Sequence, residues 1–167
     1  MSDSNYQLPF RRRREQKTDY KQRKKLLKSG KPRAVVRLSN NHTRVHLSHY
    51  ERDGDRNTAQ TVSKELEDYG WEHHTGNLPA AYLTGYLAGH KADSDEAVLD
   101  LGLKEMNKGG KMFAALKGII DAGVDIPAGE EIFPEESRIR GEHIKEMSDK
   151  NVPSNFETVK ENIEGEF

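Results

Sequence analysis

At 167 residues the chain has room for a single domain with extended arms. Hydrophobic and charged residues each make up 33% of it, so we expect a core, with much of the chain outside that core. The absence of cysteine excludes disulfides and catalytic thiolates. Because no apolar run could span a membrane and the start MSDSNYQLPF lacks the apolar segment of a secretion signal, we expect a cytoplasmic protein.

The net charge of −1 conceals a separation of the two signs along the chain. Residues 1–60 contain 16 Lys and Arg against 6 Asp and Glu, whereas residues 61–167 contain 11 against 22. A polycation attracts polyanions, and nucleic acid is the commonest polyanionic partner of a cytoplasmic protein. The first third of the chain therefore predicts nucleic-acid binding, with a membrane surface as the weaker alternative.

The N-terminal arm contains four consecutive arginines at 11–14 in a stretch without apolar period. This pattern predicts an extended segment that becomes ordered when it binds a partner. Tyr6, Phe10 and Tyr20 are interleaved with the cations, and such aromatic rings can stack on bases while arginines hold phosphates. Tyr20 could equally belong to a core.

A cationic helix is predicted over 18–29, immediately after the arm. Thr18 is a possible cap, Gly30 follows the end, and Pro32 prevents the helix from continuing. Lysine and arginine occupy almost all faces of this helix, so it extends the basic surface of the arm.

The first strands form a predicted hairpin. Residues 33–39 and 43–48 flank the tripeptide 40–42, whose asparagines tolerate the conformations of a tight turn. On the second strand apolar and polar residues alternate, which indicates one buried and one polar face. Residues 57–62 predict a weaker third strand, and residues 63–69 a short helix.

Two apolar helices and one apolar strand complete the predicted core. Asn77 caps a helix in which Ala81, Gly85 and Gly89 are small enough for close approach to a sheet. The continuous apolar run 97–103 predicts a strand in the interior of the sheet. A helical stripe from Met112 to Ile120 predicts a second helix, which ends at Gly123.

The element order βββαβα predicts an α/β or α+β fold with a mixed sheet and helices packed on it. Beyond this core we predict a helix over 137–147 and a last amphipathic helix, for which Ser154 and Glu157 form a capping-box pattern. The predicted parts are a basic arm and helix (1–31), a globular core (32–127) and a C-terminal helical extension (128–167).

Two glycine-containing turns are candidate phosphate contacts. The segments 75–77 and 108–111 each precede a helix start, where free amides and the helix dipole favour an anion. A plain N-cap is sufficient to explain Asn77, and the second turn lacks the phosphate-loop pattern, so nucleotide binding is not expected. The spacing of the seven histidines argues against a zinc site, and we expect no cofactor.

Blocks spread over most of the chain resemble the archaeal form of large-subunit ribosomal protein eighteen. They are PFRRRRE (9–15) with KTDY (17–20), LLKSGKPR (26–33), TGN (75–77) with PAAYLTG (79–85), FAALKG (113–118), and EIFP (131–134) with RIRGEH (138–143). The resemblance implies a ribonuclease-H-like three-layer core that serves as a scaffold in the large ribosomal subunit. It also implies binding to 5S ribosomal RNA in the central protuberance, attachment to large-subunit ribosomal RNA, and large-subunit protein five as a neighbour.

Pattern and resemblance together select the residues that we expect to contact RNA. They are Arg11, Arg12, Arg13, Arg14, Lys17, Tyr20, Lys21, Arg23, Lys24, Lys25, Lys28, Lys31, Arg33, Arg37, Asn41, His42, Arg44, Thr75, Asn77, Lys108, Lys111, Arg138 and Arg140. We expect no membrane and no small-molecule substrate.

Two alternatives to a ribosomal scaffold stay open. A ribonuclease-H-like fold can hold a magnesium-dependent nuclease built from clustered carboxylates, for which Asp53, Asp55, Asp100 and Asp121 are available. Asp100 is unusual because it lies in an apolar strand, where it could instead bind a neighbouring backbone amide or a lysine. A free RNA chaperone or processing factor could carry the same basic arm. Trp71 is interpreted as a core or interface residue.

Overall fold

The computed structural model describes residues 7–148 and 150–167, so the prediction for Tyr6 falls outside it. The strands are β1 (Arg33–Leu38), β2 (Thr43–His49), β3 (Arg56–Val62) and β4 (Val98–Asp100). The helices are α1 (Arg11–Arg14), α2 (Tyr20–Leu27), α3 (Leu78–His90), α4 (Lys111–Asp121), α5 (Glu136–Arg140), α6 (Glu142–Met147) and α7 (Val152–Glu166), with 3-10 turns at Ser63–Glu67 and Glu130–Ile132. None of the described helices combines the length and apolar character needed to cross a bilayer.

The strands form one mixed sheet in the order β3-β2-β1-β4. β1 and β2 pair antiparallel around the turn at 40–42, β2 and β3 pair antiparallel, and β4 runs parallel to β1. The predicted hairpin, third strand and mixed sheet with packed helices are therefore confirmed. Ala34, Val36, Val45 and Leu47 point toward the helices, so that the intervening residues of β1 and β2 lie on the outer face.

The prediction of a long interior strand at 97–103 is wrong. β4 has three residues and lies at the edge of the sheet. The chain turns at Gly102, whose φ is 67° and whose amide donates to Asp100 Oδ1. The run is apolar because Ala97 and Leu101 enter the core from the two ends of β4, and not because two neighbouring strands enclose it.

Helices α3 and α4 pack against each other at very short range. A β carbon on Gly85 would overlap the backbone of Ala115, and one on Gly118 would overlap the carbonyl of Tyr82. The small residues of α3 were correctly predicted to permit close approach, but the partner of Gly85 and Gly89 is α4 rather than the sheet.

Two apolar clusters divide the molecule into layers. One fills the space between the sheet and α4, and the other lies between α3 and the C-terminal helices. Val152, Phe156, Val159 and Ile163 of α7 are buried in the second cluster, together with Trp71, as predicted for that tryptophan. The C-terminal helices are therefore packed on the core as an outer layer.

Several helix boundaries differ from the predictions. The helix predicted over 18–29 is α2, which starts after Asp19. The Asp19 carboxylate accepts from the amides of Lys21 and Gln22, so Thr18 is not the cap of this helix. The helix predicted over 137–147 is broken at Gly141, where φ is 81° and a β carbon would meet Val152 and Pro79.

Two further local predictions were wrong. α7 already begins at Val152, so the predicted capping box of Ser154 and Glu157 lies inside the helix. The arginine run 11–14 forms a turn of helix instead of an extended segment, because the amides of residues 13 and 14 bond to the carbonyl of Phe10.

Candidate nucleic-acid interface

The arm and α2 form an exposed basic surface. Every described residue of α1 and α2 is at least partly exposed. Phe10 and Tyr20 form an edge-to-face pair with ring centroids 5.3 Å apart, and Phe10 remains 73% exposed. Tyr20 is half-buried against this ring rather than part of either core cluster.

Most cations of this surface are free of internal partners. Among the described residues, no carboxylate pairs with Arg12, Arg13, Arg14, Lys21, Lys24, Lys25 or Lys28. Arg12 donates instead to the hydroxyl of Thr18, and Glu15 engages Lys17 at 2.9 Å and Arg11 at 3.9 Å. Unpaired, solvated cations are available to phosphates without first losing an intramolecular ion pair.

Arginines and aspartates alternate in a chain of ion pairs across the outer face of the sheet. Arg23 of α2 donates to Asp55 at 2.8 Å, and Asp55 also accepts from Arg33 of β1. Arg33 in turn donates to Asp100 at 2.6 Å, and Asp100 accepts from Arg37 at 3.0 Å. We call these five residues the ion-pair ladder.

The centre of the ladder is buried, whereas its two ends are partly exposed to solvent. Arg33 is only 4% exposed, so it faces Asp55 and Asp100 rather than solvent, whereas the side chains of Arg23 and Arg37 are 31% and 40% exposed. Burial alone would raise the pKa of Asp100, but hydrogen bonds and charges from Arg37 and Arg33 outweigh it and hold the pKa below its ordinary value.

The neighbouring part of the outer face carries one further exposed cation. Arg44 is exposed opposite Arg37 in the register of β1 and β2, and His46 follows on the same face. Burial, with smaller contributions from the charges of Arg37 and Arg44, lowers the pKa of His46. Lys31, just before β1, is engaged with Glu96.

A second group of predicted residues meets where the hairpin turn contacts the start of α3. The Thr75 hydroxyl donates to the carbonyl of Asn41 at 2.8 Å and lies 3.1 Å from His42 Nδ1. Asn77 caps α3 by accepting from the amide of Ala80 at 2.8 Å. These hydrogen bonds hold the hairpin turn against the start of α3. The predicted N-cap at Asn77 is confirmed.

An open cleft of about 610 Å³ lies beside this junction. The starts of α3 and α4 open onto it, and its rim carries Lys104, Lys111, Arg138 and His143. The Lys111 ammonium donates to the carbonyl of Gly76 at 2.9 Å. Lys104 and His143 were missed from sequence, because neither belongs to a glycine-containing turn or a basic run.

The loop 101–110 connects the two basic regions. Gly102 and Leu103 lie beside Arg12, Lys17 and Arg37, and the next residue, Lys104, lies on the rim of the cleft. The arm and the ladder therefore line one pocket, and the loop 101–110 leads from this pocket to the cleft.

Two predicted residues lie apart from the centre of this surface. Lys108 is exposed in the same loop but faces Glu131 at 3.2 Å. Arg140 pairs with Glu136 and Glu157 among the C-terminal helices, so the structure does not bring it together with the arm.

The four acids considered for a nuclease are not arranged as a metal site. Both oxygens of Asp100 accept from arginines, and Asp55 is held by Arg23 and Arg33. Asp121 accepts from Tyr82 and Lys117, and Asp53 is exposed in the loop between β2 and β3. Across residues 7–148 and 150–167, no three His, Asp or Glu side chains come together as metal ligands would.

The sequence matches the model of a family described as ribosomal large subunit proteins 60S L5 and 50S L18, over residues 4–95 and 91–129. The chain belongs to this family. Similar members include the large ribosomal subunit proteins uL18 of Methanothrix thermoacetophila, with 48% identity over 96% of both chains, and of Natronomonas pharaonis, with 46% identity over 97% of both chains. The uL18 protein of Korarchaeum cryptofilum is 53% identical over 87% of this chain and 76% of its own.

Membership of the L5 and L18 family agrees with the resemblance found in the separate sequence blocks. The matched residues include the arm from residue 4, the ion-pair ladder, the hairpin turn and the start of α4. They end at residue 129, before the outer layer of helices.

Proposed function

We propose that the protein is a structural constituent of the large ribosomal subunit that binds 5S ribosomal RNA and helps attach it to large-subunit ribosomal RNA. The observation that carries this proposal is the exposed, unpaired set of cations on the arm and α2, in a member of a family of large-subunit ribosomal proteins. Large-subunit protein five is the proposed neighbour. In this proposal the core has a ribonuclease-H-like fold and serves as a scaffold.

The proposed RNA contacts fall into two groups. The first comprises the arm and α2, where Arg11–Arg14, Lys17, Lys21, Lys24, Lys25 and Lys28 hold phosphates, with Arg23 at the junction to the sheet. Phosphate contacts of this kind supply most of the affinity and little sequence information. The exposed pair of Phe10 and Tyr20 adds a surface on which an unstacked base can lie.

The second proposed group lies at the hairpin turn and the cleft. Asn41, His42 and Thr75 present amide, imidazole and hydroxyl groups, which can bond to base edges and 2′-hydroxyls. Lys111 and Arg138 supply charge near the starts of α3 and α4, with Asn77 between them. Arg37 and Arg44 extend this group across the outer face of the sheet.

Binding to isolated 5S ribosomal RNA tests the proposal directly. The full chain and a chain lacking residues 1–31 are titrated against 5S ribosomal RNA and against an unrelated structured RNA of equal length. We expect tight, 5S-preferring binding that drops at least tenfold on truncation, because most free cations are removed. Equal affinity of the two chains would refute the role of the arm.

Two further measurements address the alternative functions. Sedimentation of cell extract at moderate salt should place the protein with large subunits, whereas a pool near the top of the gradient would favour a free chaperone or processing factor. Incubation of structured RNA with the protein and magnesium should leave the RNA intact over hours, and cleavage would support a nuclease.

A further inference from the structure

The attachment of α2 to the core is unusual for a helix. None of its residues is fully buried: Tyr20, Leu26 and Leu27 are half-buried and belong to neither core cluster, so burial of apolar surface supplies only part of what holds it in place. Within the described residues, the ion pair of Arg23 with Asp55 is the one hydrogen bond or ion pair that joins a side chain of α2 to the sheet or its loops. Asp55 is therefore the polar anchor of α2.

Asp55 is itself fixed from the other side. It belongs to the loop between β2 and β3, and its second carboxylate oxygen accepts from Arg33, which is buried and bonded to Asp100. Only 23% of the Asp55 side chain is exposed, although the loop around it is open to solvent. A carboxylate held by a buried guanidinium offers a rigid acceptor to a second, mobile guanidinium.

We propose that Asp55 is a positioning residue for RNA binding, which holds the basic helix α2 over the sheet through Arg23 before RNA arrives. This inference rests on the proposed function. Lys21, Lys24, Lys25 and Lys28 are then presented as one preorganised set of cations, and the cost of ordering the helix is met during folding instead of during binding. Asp55 acts through Arg23 and touches no RNA.

For a substitution at Asp55, net charge and the positioning role predict opposite changes in RNA affinity. Asp55→Asn adds one positive unit next to the arm, so a purely electrostatic account expects RNA to bind more tightly. Under the positioning role, loss of the carboxylate releases α2 and weakens binding despite the added charge. Asp53→Asn is the matched control, because Asp53 is an exposed acid in the same loop and the charge change is identical.

The test combines affinity with a direct measurement of the position of α2. Full-length wild type, Asp55→Asn and Asp53→Asn are titrated with 5S ribosomal RNA at one fixed salt concentration. We expect affinity to fall about tenfold for Asp55→Asn and to stay within about twofold for Asp53→Asn. Since the chain has no cysteine, spin labels can be placed at Lys25→Cys and Gln60→Cys alone. The distance distribution between them should be narrow in wild type and Asp53→Asn, and broad in Asp55→Asn.

A second pair of variants covers the case in which Asp55→Asn does not fold. Arg23→Gln cuts the link to α2 and leaves Arg33 with both of its carboxylates, and Lys24→Gln removes the same charge from the same helix without touching the ladder. Arg23→Gln should broaden the distances and lose several times more affinity than Lys24→Gln. Equal losses with unchanged distances would overturn the inference.

The outcomes separate this inference from the proposed function. If Asp55→Asn and Asp53→Asn bind alike and both keep narrow distances, Asp55 has no positioning role, even while wild type binds 5S ribosomal RNA. If wild type does not bind this RNA at all, the proposed function fails, and the inference about RNA binding fails with it.

Discussion

Gly85 of α3 lies so close to the carbonyl oxygen of Ala115 in α4 that a β carbon at residue 85 would overlap that oxygen. We expect Gly85→Ala to lower the free energy of unfolding by about 2–4 kcal/mol, because the two helices must move apart and open the packing of both clusters. Urea denaturation measures this. Gly165→Ala is the control: it lies in α7 with open space around it and should leave stability unchanged or slightly raised. Equal stability of the two variants would contradict the close packing.

The local parts of the fold could be predicted from sequence, and the long-range contacts could not. The turn at 40–42, the cap at Asn77 and the stripe of α4 depend on neighbouring residues, and all three were predicted correctly. The run 97–103 was misplaced because an edge strand whose ends turn into the core is as apolar as an interior strand. Gly85 was recognised as small, but its partner is set by how two distant helices cross.

The candidate site divides in the same way. A run of arginines and a cationic helix are visible in the sequence, because charge needs no tertiary context to be counted. The ion-pair ladder joins residues spread from 23 to 100 on four separate elements, and no local spacing connects them. Asp100 could be singled out as an unusual acid in an apolar strand, but its arginine partners appear only when β1 and β4 are paired.

Asp100 is the buried acceptor that neutralises Arg33. Asp100→Asn should lower the free energy of unfolding by about 2–3 kcal/mol, less than the loss of an isolated buried pair, because Arg33 keeps Asp55 as a partner. Thermal and urea unfolding of this variant would measure the loss. Asp53→Asn carries the same charge change on the surface and should differ from wild type by under about 0.5 kcal/mol. A similarly small effect for Asp100→Asn would show that the ladder contributes little to stability.

The two acids of the ladder also predict loss of stability in acid. Burial alone would raise the pKa of Asp55, but the hydrogen bond from Arg23 and the charge of Arg33 outweigh it, so the pKa lies below the ordinary 3.8, as it does for Asp100. A folded-state pKa below the unfolded value gives a contribution that is fully present above about pH 5 and is lost as pH falls through 3.8 toward the folded values.

The urea midpoint should therefore fall from pH 5 to pH 3 more steeply for wild type than for Asp100→Asn, which has no carboxylate to protonate at that position. Parallel curves for the two proteins over this range would contradict the assigned direction of the Asp100 pKa shift. From about pH 5 upward the difference between the two proteins should be at its largest, because both acids are then ionised in wild type.

The free lysines of α2 predict a salt dependence of RNA binding. If about eight cations meet phosphates, the logarithm of the association constant should fall with the logarithm of salt concentration with a slope of about −6 to −7. Lys24→Gln combined with Lys25→Gln removes two such contacts and should make the slope shallower by about 1.5 to 2 units, with weaker binding at low salt. Lys160→Gln on α7 removes a single charge from the outer helical layer and should keep the wild-type slope. A wild-type slope in the double variant would show that these lysines meet no phosphate, and the basic surface would then have to act through its arginines alone.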